Sequence, residues 1–176
     1  DGGSIYMRLS TKPLSQPERD LSDADKSDIV SGGYWLREPG DDCKMVIAYC
    51  GAMAPEAIAA WEKLSEDHPG LGLLAVTSTD RLYNEWQDLE RARLEGKADA
   101  QMSHVENLLK PLASDARLVT VIDGHPAALA WLGSVRGHAV APLGVNNFGQ
   151  CGDSIALYEH YQIGTDAILR AAKRWD

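Results

Sequence analysis

The stretches Met45-Val46-Ile47-Ala48-Tyr49-Cys50 and Leu118-Val119-Thr120-Val121-Ile122 are almost unbroken runs of apolar, strand-forming residues. A strand with one wet face alternates apolar and polar residues. An unbroken run needs cover on both faces, and a parallel sheet between helical layers supplies it. Parallel neighbours cannot be joined by a hairpin, so each needs a crossover, usually a helix. These two runs commit the chain to helices on both faces of a largely parallel sheet.

The segments around them meet that demand. Further strands are predicted at 33–38, 71–77 and 140–145, the last interrupted by Pro142 and so placed at an edge or strand end. Helices are predicted from Pro55 to about His68, from Thr79 to about Gly96, over 104–112, over 126–134 and over 153–161. A last helix is predicted to be capped by Thr165 and to run through Trp175. The fold class expected is α/β: a three-layer αβα sandwich around a mostly parallel, mixed five-stranded sheet.

Upstream, residues 4–10 alternate with Ile5, Met7 and Leu9 on one face, the pattern of a half-buried strand. Residues 11–31 carry Pro13, Pro17 and scattered Ser, Asp and Glu, which is linker composition. The expected division is therefore 1–31 as the end of a preceding domain plus a linker, and 32–176 as one domain. The chain is expected to be a piece of a larger enzyme.

Charge excludes some classes of function. The net charge of −9 comes with no basic cluster longer than a pair, which argues against nucleic-acid binding. No run of 18 apolar residues exists, so no membrane helix is expected. Cys43, Cys50 and Cys151 are odd in number and form no CxxC pair, which points to a reducing compartment, the cytoplasm.

Chemical motifs are sparse. Gly70-Leu71-Gly72 leaves a helix and enters a strand, the reverse of a dinucleotide-binding turn. Gly133-Ser134-Val135-Arg136-Gly137 lacks the spacing of a nucleophile elbow and follows a helix. None of the five histidines has metal-ligand spacing to another His or to a Cys. Cys151 precedes a helix start but has no evident activating base. Asp123-Gly124-His125-Pro126 follows the best strand, and in open α/β sheets that end lines the ligand crevice. The tryptophans at 61, 86, 131 and 175 read as core or interface anchors.

Three stretches resemble the C-terminal domain of the transketolase superfamily of thiamine-diphosphate enzymes. They are Val46-Ile47-Ala48-Tyr49-Cys50-Gly51 leading into Pro55-Glu56-Ala57, residues 118–133 with their acidic-x-His turn, and the block from Leu143-Gly144-Val145 through Phe148-Gly149-Gln150-Cys151-Gly152-Asp153 to Asp166-Ala167-Ile168. The resemblance covers roughly residues 32–175. The end of the strand at Ala75-Val76-Thr77-Ser78 and the long helical segment after it look closest to the homodimeric pyruvate dehydrogenase decarboxylase component. Cys151 stands where a small polar residue would be expected.

The resemblance implies that thiamine diphosphate and Mg²⁺ belong to the full-length enzyme, between two preceding domains, and that this domain holds no cofactor. It implies no catalytic, cofactor-binding or metal residue here. Asp123, His125, Trp131, Phe148 and Gln150 form the candidate crevice or interface set. The partners implied are a second subunit in a homodimer and the dihydrolipoyl acyltransferase.

Overall fold

The structure is a computed structural model that describes residues 4, 13–15, 20–97, 101–147 and 149–175. The strand expected at 4–10 therefore lies outside the described residues, apart from Ser4. The elements run α1 Asp23–Ser31, β1 Gly33–Arg37, β2 Cys43–Cys50, α2 Ala54–Leu64, β3 Gly72–Val76 and α3 Thr79–Leu94. They continue with α4 His104–Leu109, β4 Leu112–Ile122, α5 Ala127–Ala130, α6 Leu132–Arg136, β5 Ala139–Leu143, α7 Ser154–His160 and α8 Thr165–Ala172.

The five strands lie in the order β1-β3-β2-β4-β5. Only β1 is antiparallel, pairing with β3, while β2 pairs in parallel with β3 and β4, and β4 with β5. The two apolar runs are thus neighbours at the centre of a mixed, mostly parallel sheet, as expected. Side chains sort by the period of two. Met45, Ile47, Tyr49, Leu73, Ala75, Val119 and Val121 pack with α2 and α8, through Ala57, Ala60, Leu64, Ile168 and Ala172. Val46, Ala48, Leu74, Val76 and Leu118 face the other way and meet Leu82, Val105, Leu108, Leu109, Leu129 and Leu132 on α3 to α6. Both faces are covered, which is what an unbroken apolar strand requires.

Several boundaries differ from expectation for identifiable reasons. The last nine residues of the stretch read as linker are α1. Its signal is a capping box: the Ser22 hydroxyl accepts from Asp25 N–H, and the Asp25 carboxylate accepts from Ser22 N–H at 2.9 Å. The helix buries no residue, so it has no apolar stripe to read. It is tied to the body where the Thr77 hydroxyl donates to Ile29 O at 2.6 Å and the Arg81 guanidinium donates to Val30 O at 2.8 Å.

The helix expected over 104–112 stops at Leu109, because β4 begins at Leu112 rather than Leu118. Leu112, Ala113 and Ala116 are buried, and Leu112 pairs with Cys43 across a register shift before Arg117 pairs with Met45. The helix expected over 126–134 is two short ones, α5 and α6, meeting at Trp131. The α3 and α4 helices are joined by the Arg93 guanidinium, which donates to both Glu106 oxygens at 2.9 and 3.0 Å. Burial pushes the Glu106 carboxyl up, but the hydrogen bonds from Arg93 and Ser103 together outweigh it and the net shift is downward.

Candidate functional site

The topology fixes where a crevice can open. The chain leaves β2 through α2 toward β3 on one face and leaves β4 through α5 and α6 toward β5 on the other. Between the carboxyl ends of β2 and β4 the connections diverge, and open α/β sheets place their ligand crevices at such points. Cys50 and Ile122 are partners in register here, so Gly51 and Asp123 are the first residues of the two rims. Gly51 turns the chain at a φ of +59°, and nothing lies within 4 Å of where its Cβ would be. That combination leaves the β2 rim open.

The β4 rim is closed more tightly. Val145 N–H donates to Gly124 O at 2.7 Å, clipping the end of β5 to the turn after β4. Gly144 sits at this clip, where a Cβ would meet Gly124 O at 2.6 Å and Pro126 N at 2.8 Å. Asp123 and His125 are both exposed. His125 Nδ1 accepts from Ala127 N–H at 3.3 Å, so the ring caps the start of α5.

The five sequence candidates do not form one cluster. Asp123 and His125 stand on the β4 rim. Trp131 packs instead against Trp86 and Tyr83 of α3, with ring centroids 5.5 and 5.1 Å apart. The Gln150 side chain is exposed, and its backbone N–H donates to the Tyr161 hydroxyl at 3.2 Å. Phe148 lies outside the described residues.

A group that sequence reading missed adjoins the rim. A cleft of about 570 Å³ between α7 and α8 is lined by residues including Glu56, Tyr158, Gln162, Thr165, Asp166 and Arg170. Burial, with Asp123 and Glu56 adding negative charge nearby, pushes the Tyr158 hydroxyl above its usual range. Thr165 was expected to cap α8 but is its first residue, and the cap position, Gly164, has no side chain to offer. The cap comes from α2: the Glu56 carboxylate accepts from Thr165 N–H at 2.9 Å and from its hydroxyl at 2.6 Å. A contact 109 residues long has no local sequence signal. Glu56→Ala is expected to cost about 1–2 kcal/mol, the scale of a lost cap, and Glu56→Gln less because it keeps an acceptor. Urea denaturation of the two variants checks this.

His138 is a buried titratable group on the other side of the sheet edge from this cleft's helices. It is 6% exposed at the start of β5, and neither ring nitrogen reaches hydrogen-bond geometry with a partner. Burial and the Arg136 charge push the ring below its usual value, while the backbone near Ala116 works weakly against them. A folded-state value below the unfolded one means the unfolded chain binds more protons, so stability falls as the pH drops below about 6.5. Thermal melts from pH 7 to 5 are expected to show this loss, with a shallower slope in His138→Leu.

Among the described residues, no group of three His, Cys, Asp or Glu is placed to hold a metal ion, and no helix is long and apolar enough to cross a membrane. No family model matches the sequence, and no curated protein matches it. Solved structures do match. Transketolase from Leishmania mexicana superposes with a TM-score of 0.56 at 15% identity, over 84% of this chain and 18% of that one. This is a fold that transketolases contain. Transketolase from Campylobacter jejuni subsp. jejuni NCTC 11168 gives a TM-score of 0.52 at 16% identity, over 80% of this chain and 18% of that one. A split-gene transketolase, described as an inactive beta4 tetramer, gives 0.53 at 21% identity, over 82% of this chain and 42% of its own. The present chain therefore spans less than half of each of these proteins, and the likeness is one of fold.

Proposed function

We propose that this chain is the non-catalytic C-terminal domain of a thiamine-diphosphate enzyme of the transketolase superfamily, acting in the full-length protein as a structural and dimer-stabilising unit. The observation that carries the proposal is the superposition of four-fifths of the chain on transketolases, together with the sequence block at 143–168. The whole protein would be either a 2-oxoacid dehydrogenase decarboxylase component acting on pyruvate or a transketolase. The Ala75–Ser78 strand end and the long helical segment before β4 favour the first, while the fold likeness is common to both. In the first case the dihydrolipoyl acyltransferase is the proposed acyl acceptor and partner.

Thiamine diphosphate would supply nucleophilic chemistry at a carbonyl carbon in the full-length enzyme. The residues described here do not fit that cofactor. A magnesium diphosphate needs oxygen donors gathered around the metal, whereas the carboxyl-edge rim offers the exposed Asp123 and His125 and no three-donor cluster. No step of that chemistry is assigned to this chain.

What the domain does supply is a stiff platform, with both faces of its sheet packed. Steady-state kinetics of the full-length protein test the assignment. His125→Gln is expected to leave kcat within about twofold, whereas a fall of about a hundredfold or more, the scale of a lost general acid or base, would contradict it.

A further inference from the structure

Trp131 and Trp86 pack against the core on one side, while Tyr83 beside them stays at the surface. Trp131 stacks on Trp86 at 5.5 Å with 19° between the rings, which fixes its plane. Tyr83 stands against it at 5.1 Å and 73°, so the two rings form adjoining walls of a corner. Tyr83 is 39% exposed. The Trp131 indole N–H is already spent on Ala128 O at 2.9 Å, leaving the ring surface as what it can offer. The corner opens into a cleft of about 290 Å³ lined by Thr79, Asp80, Tyr83, Ala127, Ala128 and Trp131. Asp80 is the one charged side chain of that lining, and it is exposed.

An aromatic face beside a carboxylate is a complement for a cation: the ring quadrupole and the negative charge both favour it. Elsewhere the chain meets this preference internally. The Arg37 guanidinium lies 5.3 Å from the Trp61 ring centre, and that of Arg117 lies 5.7 Å from the Trp175 ring centre. Among the described residues no cation lies over Tyr83 or Trp131, and the aromatic rings these two meet are each other and Trp86.

We propose that the Tyr83–Trp131 corner, with Asp80 on its rim, is a receptor for an arginine side chain presented by a partner protein. A planar guanidinium suits an open corner walled by two rings better than a compact ammonium does, because it can stack on one wall while pairing with the rim carboxylate. The net charge of −9 would also steer a basic segment toward this chain. The proposal stands on this chain's own residues and holds whether or not the thiamine-enzyme reading is correct.

The test follows the Trp131 indole resonance by NMR, assigned with Trp131→Phe, while the chain is titrated with Nα-acetyl-arginine amide. A saturating shift is expected, with binding weakened about two- to fivefold in Asp80→Asn, the scale of one exposed charge pair. Tyr83→Ala should abolish the shift, its fold being checked by thermal melting. Equal binding of the uncharged Nα-acetyl-citrulline amide, tighter binding of Nα-acetyl-lysine amide, or wild-type binding by both variants would overturn the proposal.

Discussion

Ile47→Ala is expected to lower the unfolding free energy by about 2–5 kcal/mol. Ile47 is fully buried at the middle of the central strand, between Leu73 of β3 and Val119 of β4. Both neighbours are themselves fully buried and point to the same face, under α2 and α8. The sheet cannot close over a hole there without shifting β2, and β2 carries hydrogen bonds on both sides. The cost therefore includes the cavity as well as the lost apolar transfer. Ile47→Val should cost about 0.5–1.5 kcal/mol, since it removes one methylene. For a chain of this size each kcal/mol lowers Tm by about 2–4 °C, so calorimetric melting separates the two variants.

Gly144→Ala is expected to cost about 1–3 kcal/mol, through crowding rather than a cavity. The added methyl would meet Gly124 O at 2.6 Å, Pro126 N at 2.8 Å and Pro126 Cα at 2.9 Å, all of them backbone atoms. No side chain can swing aside. Relief must come from parting the β5 end from the turn after β4, which breaks the Val145 to Gly124 hydrogen bond. Gly51→Ala is the contrasting control. Its Cβ would enter open space, and only the left-handed φ of +59° opposes it, so its cost is about 1 kcal/mol. Chemical denaturation of both variants checks the ranking, and amide exchange at Val145 should accelerate in Gly144→Ala alone.

The layered architecture was legible in the sequence because the central strands are pure. Val46 to Cys50 and Leu118 to Ile122 are short apolar runs that length and flanking turns mark as covered strands, and the topology follows from the crossovers they impose. What was not legible has physical causes. The α1 helix has a capping box but no buried face, so pattern alone left it in a linker. The α4 end and the β4 start share one apolar stretch, Leu108, Leu109 and Leu112, in which period two and period 3.6 cannot be told apart. That Asp123 and His125 directly follow the end of β4 was legible, since strand ends are local. The Glu56 cap and the Tyr83–Trp86–Trp131 corner were not found, because their members lie on different elements far apart in the chain. Trp131 could be flagged as an anchor, but nothing in sequence says which rings it meets.

The cofactor chemistry is proposed to lie outside this chain. Calorimetric titration of the chain with thiamine diphosphate in the presence of Mg²⁺ tests it most directly. No saturable heat is the predicted result, and one-to-one binding in the micromolar range would contradict the claim.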